Sequence, residues 1–260
     1  MLEACRLKKI QAAVTPEEIQ KALKSKDVMI GAEFEFIFKK SVVVTKPKKA
    51  RSIDPDVVKR FEKAAQAPIE ITPWIKKKSH TKLPEGGAWK LERDVSLVYL
   101  GGELVSPALP LQKFLKICPE IFKVIGEVGN TTEKCGLHIG ISLKGTRFKK
   151  LNPLKLAFSI DEDFVYRAFK SEVRAKWTNP IKDHMQDILA EFKKTQDTEV
   201  KPQTLQQIET AIIAFLQEKL LNQLTKSTGI NLGKMTSGGY IEFRYMGGAK
   251  YHKQCNSISS

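Results

Sequence analysis

Long apolar runs are missing from this chain of 260 residues. No stretch approaches the ~20 residues that a membrane-spanning helix needs. The N-terminal MLEACRLKK lacks the apolar core of a secretion signal. A soluble, cytoplasmic protein with no membrane partner is therefore expected. Cysteine is scarce, and Cys5, Cys118, Cys135 and Cys255 form no C-x-x-C pair. That argues against a zinc site on paired thiolates and for reduced, mostly buried thiols. The P-loop, the dinucleotide fingerprint and H-E-x-x-H are absent too. Negative charge is in deficit: 44 Lys and Arg face 29 Asp and Glu, a net charge of +15. Such a surplus favours nucleotides, nucleic acid or an acidic protein as partners.

No repeat and no convincing linker interrupts the chain, so one domain over 1–260 is expected, with basic insertions near 39–60, 76–82 and 144–150. Thr15-Pro16-Glu17-Glu18 combines an N-cap, a proline at the first helical position and a capping-box glutamate. Val28–Phe38 reads as a strand by its aromatic content. Asp54-Pro55 opens a helix carrying Val57, Val58 and Phe61. Strands are predicted over 69–74, 89–93 and 96–100, with Gly101-Gly102 as a turn into Glu103–Pro107. Leu111–Val128 has helical periodicity, which Pro119 should break or kink. A strand is expected over 135–143. Helices follow from Asn152-Pro153 through Phe169, over 180–193 and over 204–224. A last strand covers 240–246, and the tail after Lys250 should be loose. This order predicts an α+β domain in which sequence-distant strands share one sheet.

Alternate residues of a strand share a face. Glu33 and Glu35 fall on one face of the first strand, and Phe34, Phe36 and Phe38 on the other. His138, Gly140 and Ser142 oppose Leu137, Ile139 and Ile141. Tyr240, Glu242 and Arg244 oppose Ile241, Phe243 and Tyr245. Each of these strands has an apolar face for the core and a polar face bearing ligand-type groups. Two carboxylates about 6.5–7 Å apart repel by roughly 2.5 kcal/mol at an effective dielectric of 20. An arginine or a divalent cation would offset this, and carboxylate oxygens suit Mg²⁺ or Mn²⁺. His80, His184 and His252 are expected at the surface, and Trp74, Trp89 and Trp177 as packing anchors.

The order of these motifs resembles the amidoligase branch of the glutamine synthetase and glutamate–cysteine ligase superfamily. Its pattern runs G-x-E-x-E (Gly31 to Glu35), Trp89 with D-x-S (Asp94 to Ser96), E-L-V-S-P (Glu103 to Pro107) and G-L-H (Gly136 to His138). It goes on through a basic residue of a helical region (Arg174), an N-L step (Asn231-Leu232) and E-F-R (Glu242 to Arg244). The chain has Asp94-Val95-Ser96 where many relatives have D-G-S, and Gly140 where they have a second histidine. Glu92 competes with Asp94 as a ligand; Asp94 fits the pattern's spacing to Glu103 better.

The resemblance implies a curved antiparallel sheet with helices packed on one face. It implies a ligase for which ATP phosphorylates a substrate carboxylate and an amine attacks the acyl phosphate. Carried over, Glu33, His138 and Glu242 would surround one Mg²⁺ or Mn²⁺, and Glu35, Asp94 and Glu103 another. Arg244 would contact the transferring phosphoryl group, with Arg174 and Asn231 near the nucleotide. Arg244, Glu242 and Glu103 form the implied catalytic set. The basic segments support a second reading, a nucleic-acid-binding protein on the same fold.

Overall fold

The computed structural model describes residues 17, 21, 24, 27–45, 51–72, 87–94, 96–97, 100–144, 156, 160–168, 178–196, 213–215, 218–219, 224 and 227–253. Among them a nine-stranded mixed sheet dominates. Its central strand is β1 (Val28–Phe38). A hairpin-like pair, β2 (Val43–Thr45) and β3 (Arg51–Ile53), forms a separate small sheet within a segment expected to begin as a loop. The main sheet continues with β4 (Ile69–Ile71), β5 (Trp89–Arg93), β6 (Gly101–Val105), β7 (Leu109–Pro110), β8 (Gly129–Asn130), β9 (Gly136–Leu143), β10 (Ile230–Asn231) and β11 (Ile241–Gly247). The spatial order is β10-β11-β9-β1-β6-β5-β4, open at both ends, and the short β7 and β8 also pair with β1. Every pairing is antiparallel except β4 with β5, which departs from the all-antiparallel expectation.

β1 alternates as its sequence demands. Phe34, Phe36 and Phe38 are buried together with two helices, α1 (Pro55–Ala65) and α2 (Leu111–Val128). Phe36 lies 5.7 Å from Phe61 of α1. Phe34 lies 6.4 Å from Phe114 and 5.8 Å from Phe122 of α2. Asp54 caps α1 by accepting from the Asp56 N–H at 2.9 Å. Pro119 does not end α2, which runs on to Val128. An internal proline costs about 3 kcal/mol. Ile117, Ile121, Phe122 and Ile125 on the buried face each return roughly 1.5–3 kcal/mol.

Other local expectations are overturned by tertiary packing. Gly101 and Gly102 lie within β6, because a side chain at Gly102 would meet the Phe38 ring at 2.5 Å. Ser96 and Leu97 form a bend rather than a strand. The helix expected through Phe169 is interrupted at Ile160-Asp161, where Asp161 accepts from the Phe164 N–H at 2.9 Å and starts α3 (Glu162–Ala168). α4 (Ile181–Gln196) and α5 (Gly233–Ser237) follow. The tail is not loose at its start: Tyr251 and His252 are buried, and the Tyr251 hydroxyl donates to the Glu35 carbonyl at 2.9 Å. His252 is thus not a surface residue; its Nδ1 lies 3.0 Å from Thr131 Oγ1. Glu17, Lys21 and Lys24 are helical, and the rest of the first predicted helix lies outside the described residues. So do Trp74, Trp177, His80, Cys5, Cys255 and most of the basic insertions.

A second core joins Tyr166 of α3, Ile181 and Ile188 of α4, Ile230 of β10 and Ile241 and Tyr245 of β11. Between them the two cores fix β1, β9 and β11 side by side, leaving their polar faces to form the site.

Candidate active site

The polar face of β1 meets its neighbours in register. Glu33 stands opposite His138 of β9, and Glu35 opposite Glu103 of β6. Glu103 in turn stands opposite Glu92 of β5. Three strands thus carry the row Glu35–Glu103–Glu92 across the sheet. One ligand atom from each of Glu33, Glu103 and His138 lies within 4.8 Å of the others.

His138 is buried, and its Nδ1 lies 3.0 Å from Glu33 Oε2. Its Nε2 is also buried, makes no hydrogen bond, and lies 3.6 Å from Glu35 Oε1. The other Glu35 oxygen accepts from the Gly136 N–H at 2.6 Å. On the far side, the Arg244 Nη1 lies 3.3 Å from His138 Nδ1 and 3.4 Å from Glu242 Oε2. Asn231 Nδ2 donates to the same Glu242 oxygen at 2.6 Å. The Arg244 Nε is buried without a partner. Two buried nitrogens without hydrogen-bond partners, on residues that also touch carboxylates, are what a site built for a ligand leaves behind.

A β-bulge aims Arg244. Phe243 pairs with Ile139 and Met246 with Leu137, so Arg244 and Tyr245 together oppose the single residue His138. Bulges of this kind redirect side chains beside active sites.

The electrostatics divide the carboxylates. Burial pushes the Glu103 carboxyl well above the usual range, and the charges of Glu33, Glu35, Asp94 and Glu92 add to it. Burial also acts upward on Glu33, but the hydrogen bond and charge of His138, with Arg244 and Lys234, outweigh it and hold the group low. Glu103 lacks such compensation. A divalent cation among Glu33, Glu103 and His138 would supply it, and two carboxylates with one imidazole suit Mg²⁺ or Mn²⁺.

Beside the cluster runs a groove of about 160 Å³. Gly31 and Gly140, paired in register, form its floor. Val105, Ala108 and Tyr240 contribute walls, and Glu33, His138 and Glu242 line one part of it. No atom lies within 4 Å of where a Gly31 Cβ would stand, so the floor is open there.

The predicted residues fall into three groups. Glu33, Glu103 and His138 converge, with Glu35 beside them. Glu242, Asn231 and Arg244 form the adjoining network. Asp94 accepts from the N–H and hydroxyl of Ser96, both at 2.7 Å, in a turn at the end of β5, and its charge still reaches Glu103. Arg174 lies outside the described residues. Sequence reasoning missed Lys90, which is buried and ion-paired with Glu92 on the polar face of β5. The i, i+2 spacing of Lys90 and Glu92 was the available signal. Lys234, whose charge reaches Glu33 and Glu242, was missed as well.

A family model described as "Putative amidoligase enzyme" matches residues 26–258. Among solved structures, the chain is similar to Plasmodium falciparum glutamine synthetase, with 14% identity and a TM-score of 0.34. That alignment covers 97% of this chain and 53% of the other, so the chain spans about half the length of that enzyme. No curated protein matches the sequence. The matched residues include the strands gathered around Glu33, Glu103 and His138, and the chain belongs to the amidoligase family.

Proposed function

We propose that the chain is an ATP-dependent carboxylate–amine ligase that forms an amide through an acyl phosphate. In this reading it acts as a single cytoplasmic domain over 1–260, on a curved sheet of the glutamine synthetase catalytic type with helices on one face. The observation that carries it is the convergence of Glu33, Glu103 and His138 within 4.8 Å, with His138 Nε2 buried and making no hydrogen bond. The family match over residues 26–258 supports the same chemistry.

Glu33, Glu103 and His138 would hold one Mg²⁺ or Mn²⁺, with Glu35, Asp94 and Glu242 as further ligands. When bound, such ions neutralise triphosphate charge and polarise the transferring phosphoryl group. A carboxylate oxygen of the acid attacks the γ-phosphorus, the bond to the β–γ bridging oxygen breaks, and ADP leaves. The amine nitrogen then attacks the acyl carbon, the carbon–oxygen bond to phosphate breaks, and inorganic phosphate leaves. The attacking amine gives up its proton to solvent. Arg244, anchored through Nη1, would offer its unpaired Nε to the phosphoryl oxygens as their charge develops. Asn231 keeps Glu242 oriented toward that arginine. Arg174 would complete the nucleotide contacts.

The net charge of +15 favours one competing reading, a nucleic-acid-binding protein without catalysis. Purified protein with Mg²⁺ and ATP, offered a panel of carboxylates and amines, separates the two. ADP release that needs both substrates, with a new amide by mass spectrometry, supports the ligase. Nucleic-acid binding with a steep salt dependence and no ATP turnover contradicts it.

A further inference from the structure

The groove beside the cluster ends in a pair of residues to which the chemistry above gives no role. Tyr240 lines it, and the edge of the Tyr240 ring lies 3.0 Å from where a Gly140 Cβ would stand. The ring therefore leans over the glycine floor, and the absence of a side chain at Gly140 is what admits it. Behind it stands Lys234 of α5, its Nζ 5.9 Å from the ring centroid, with its positive charge acting on the phenol. An ammonium has donors and no acceptor. The phenol proton therefore cannot be spent on Lys234. Tyr240 is left as a hydroxyl donor whose oxygen is already polarised by a cation.

We propose that Tyr240 and Lys234 form an oxyanion-binding end of the groove, taking a carboxylate or phosphate oxygen of the molecule whose reacting group sits at Glu33, Glu103 and His138. This deepens the ligase reading and rests on it.

Two observations agree with that assignment. First, the span suits a small molecule bound at both ends. β9 advances about 3.3 Å per residue, so Gly140, over which the Tyr240 ring leans, lies roughly 6.6 Å from His138. Second, the middle of the groove is apolar and bare, with Gly31 and Gly140 below and Val105 and Ala108 beside it, which suits an aliphatic span. Glu33 and Glu242 would repel an anion at this end until a cation occupies the cluster, so the anion should follow the cation in order of binding.

The oxyanion could belong to a second carboxylate of the acid or to the nucleotide, and the test separates them. Protein with Mn²⁺ is titrated by calorimetry with succinate, glutarate, adipate and pimelate. The same is done with monoacids of matching length and with a non-hydrolysable ATP analogue. Wild type, Lys234→Met and Tyr240→Phe are compared, with melting curves to show that each is folded. The Mn²⁺ isotherm, measured first, tests the ligase reading separately from this one.

If the oxyanion is a second carboxylate, one diacid binds about tenfold or more tightly than its monoacid, and both variants lose that advantage. If it is a phosphate, the ATP analogue loses about tenfold in both variants and the diacids show no advantage. Either result supports the oxyanion site and names its source. A protein that binds Mn²⁺ but whose diacid and nucleotide affinities ignore both substitutions overturns the proposal. Absence of Mn²⁺ binding overturns the cation site and this inference with it.

Discussion

Two glutamates, Glu162 and Glu103, sit among packed strands and helices and solve burial in opposite ways. Glu162 begins α3, and its Oε1 accepts from the Ile181 N–H at 2.9 Å and the Tyr245 hydroxyl at 2.8 Å. Burial, with the nearby Glu162 charge, keeps the Tyr245 phenol protonated far above its usual range, so it remains a donor. This carboxylate staples α3, α4 and β11 through the two neutral donors. Glu103 stands between Glu35 and Glu92 on adjacent strands, with Glu33 near, and burial together with same-sign charge drives its proton affinity up. The difference teaches how to tell a structural carboxylate from a functional one: the first is surrounded by donors, the second by its own kind. A fold that keeps the second arrangement gives up stability unless a cation is present.

Substitutions can break that contrast. The largest effect should come from Arg244→Ala, which removes a donor aimed at developing charge. We expect ADP release to fall by about 10²- to 10³-fold, with little change in melting temperature. Unchanged turnover would count against the assigned role. Next is Glu162→Ala, which leaves the Ile181 N–H and the Tyr245 hydroxyl unsatisfied. Denaturant unfolding should show a loss of roughly 2–3 kcal/mol, while Mn²⁺ affinity holds. If Glu162 behaved like Glu103 instead, the variant would be more stable.

Glu103→Gln should do the reverse, raising the stability of metal-free protein by about 1 kcal/mol near neutral pH and weakening Mn²⁺ binding. The sign follows from linkage. The folded Glu103 keeps its proton where the unfolded one loses it, so the wild type loses stability as pH rises above 4.5 toward the elevated folded value. Glu33 acts oppositely, contributing stability above 4.5 that is lost as pH falls through its lowered value. Melting curves of wild type and Glu103→Gln across pH 4–8 should therefore diverge as pH rises, and parallel curves would refute this. The smallest effect on folding should be Gly31→Ala. Its Cβ meets nothing within 4 Å, so stability should change by no more than about 0.5 kcal/mol, while occupancy of the groove falls. A large loss of stability would show that the floor is not open.

The Glu103 side of this contrast was legible in the sequence. The alternation in β1, β9 and β11 separated apolar from polar faces, because a strand whose two faces differ must turn one inward. What was not legible was register. Glu92 stands across from Glu103 only because β5 pairs with β6 in a particular alignment, and motif spacing had favoured Asp94, which holds Ser96 in a turn. The bulge at Arg244 and Tyr245 carries no glycine or proline to announce it. Gly101-Gly102 carried the opposite hazard, a turn signature serving the packing of Phe38. Tyr251, a lone aromatic in a polar tail, has no periodicity, so its burial beneath Glu35 could not be foreseen. In each case a long-range contact decided what local sequence left open.

The account turns on one property, that Glu33, Glu103 and His138 together hold a divalent cation. Titration of the protein with Mn²⁺, following loss of the free-ion signal by electron paramagnetic resonance, measures it directly. The account predicts saturable binding that strengthens as pH rises and weakens at least about tenfold in Glu33→Gln, Glu103→Gln and His138→Ala. Wild-type protein that takes up no Mn²⁺, or takes it up equally well after all three substitutions, would contradict it.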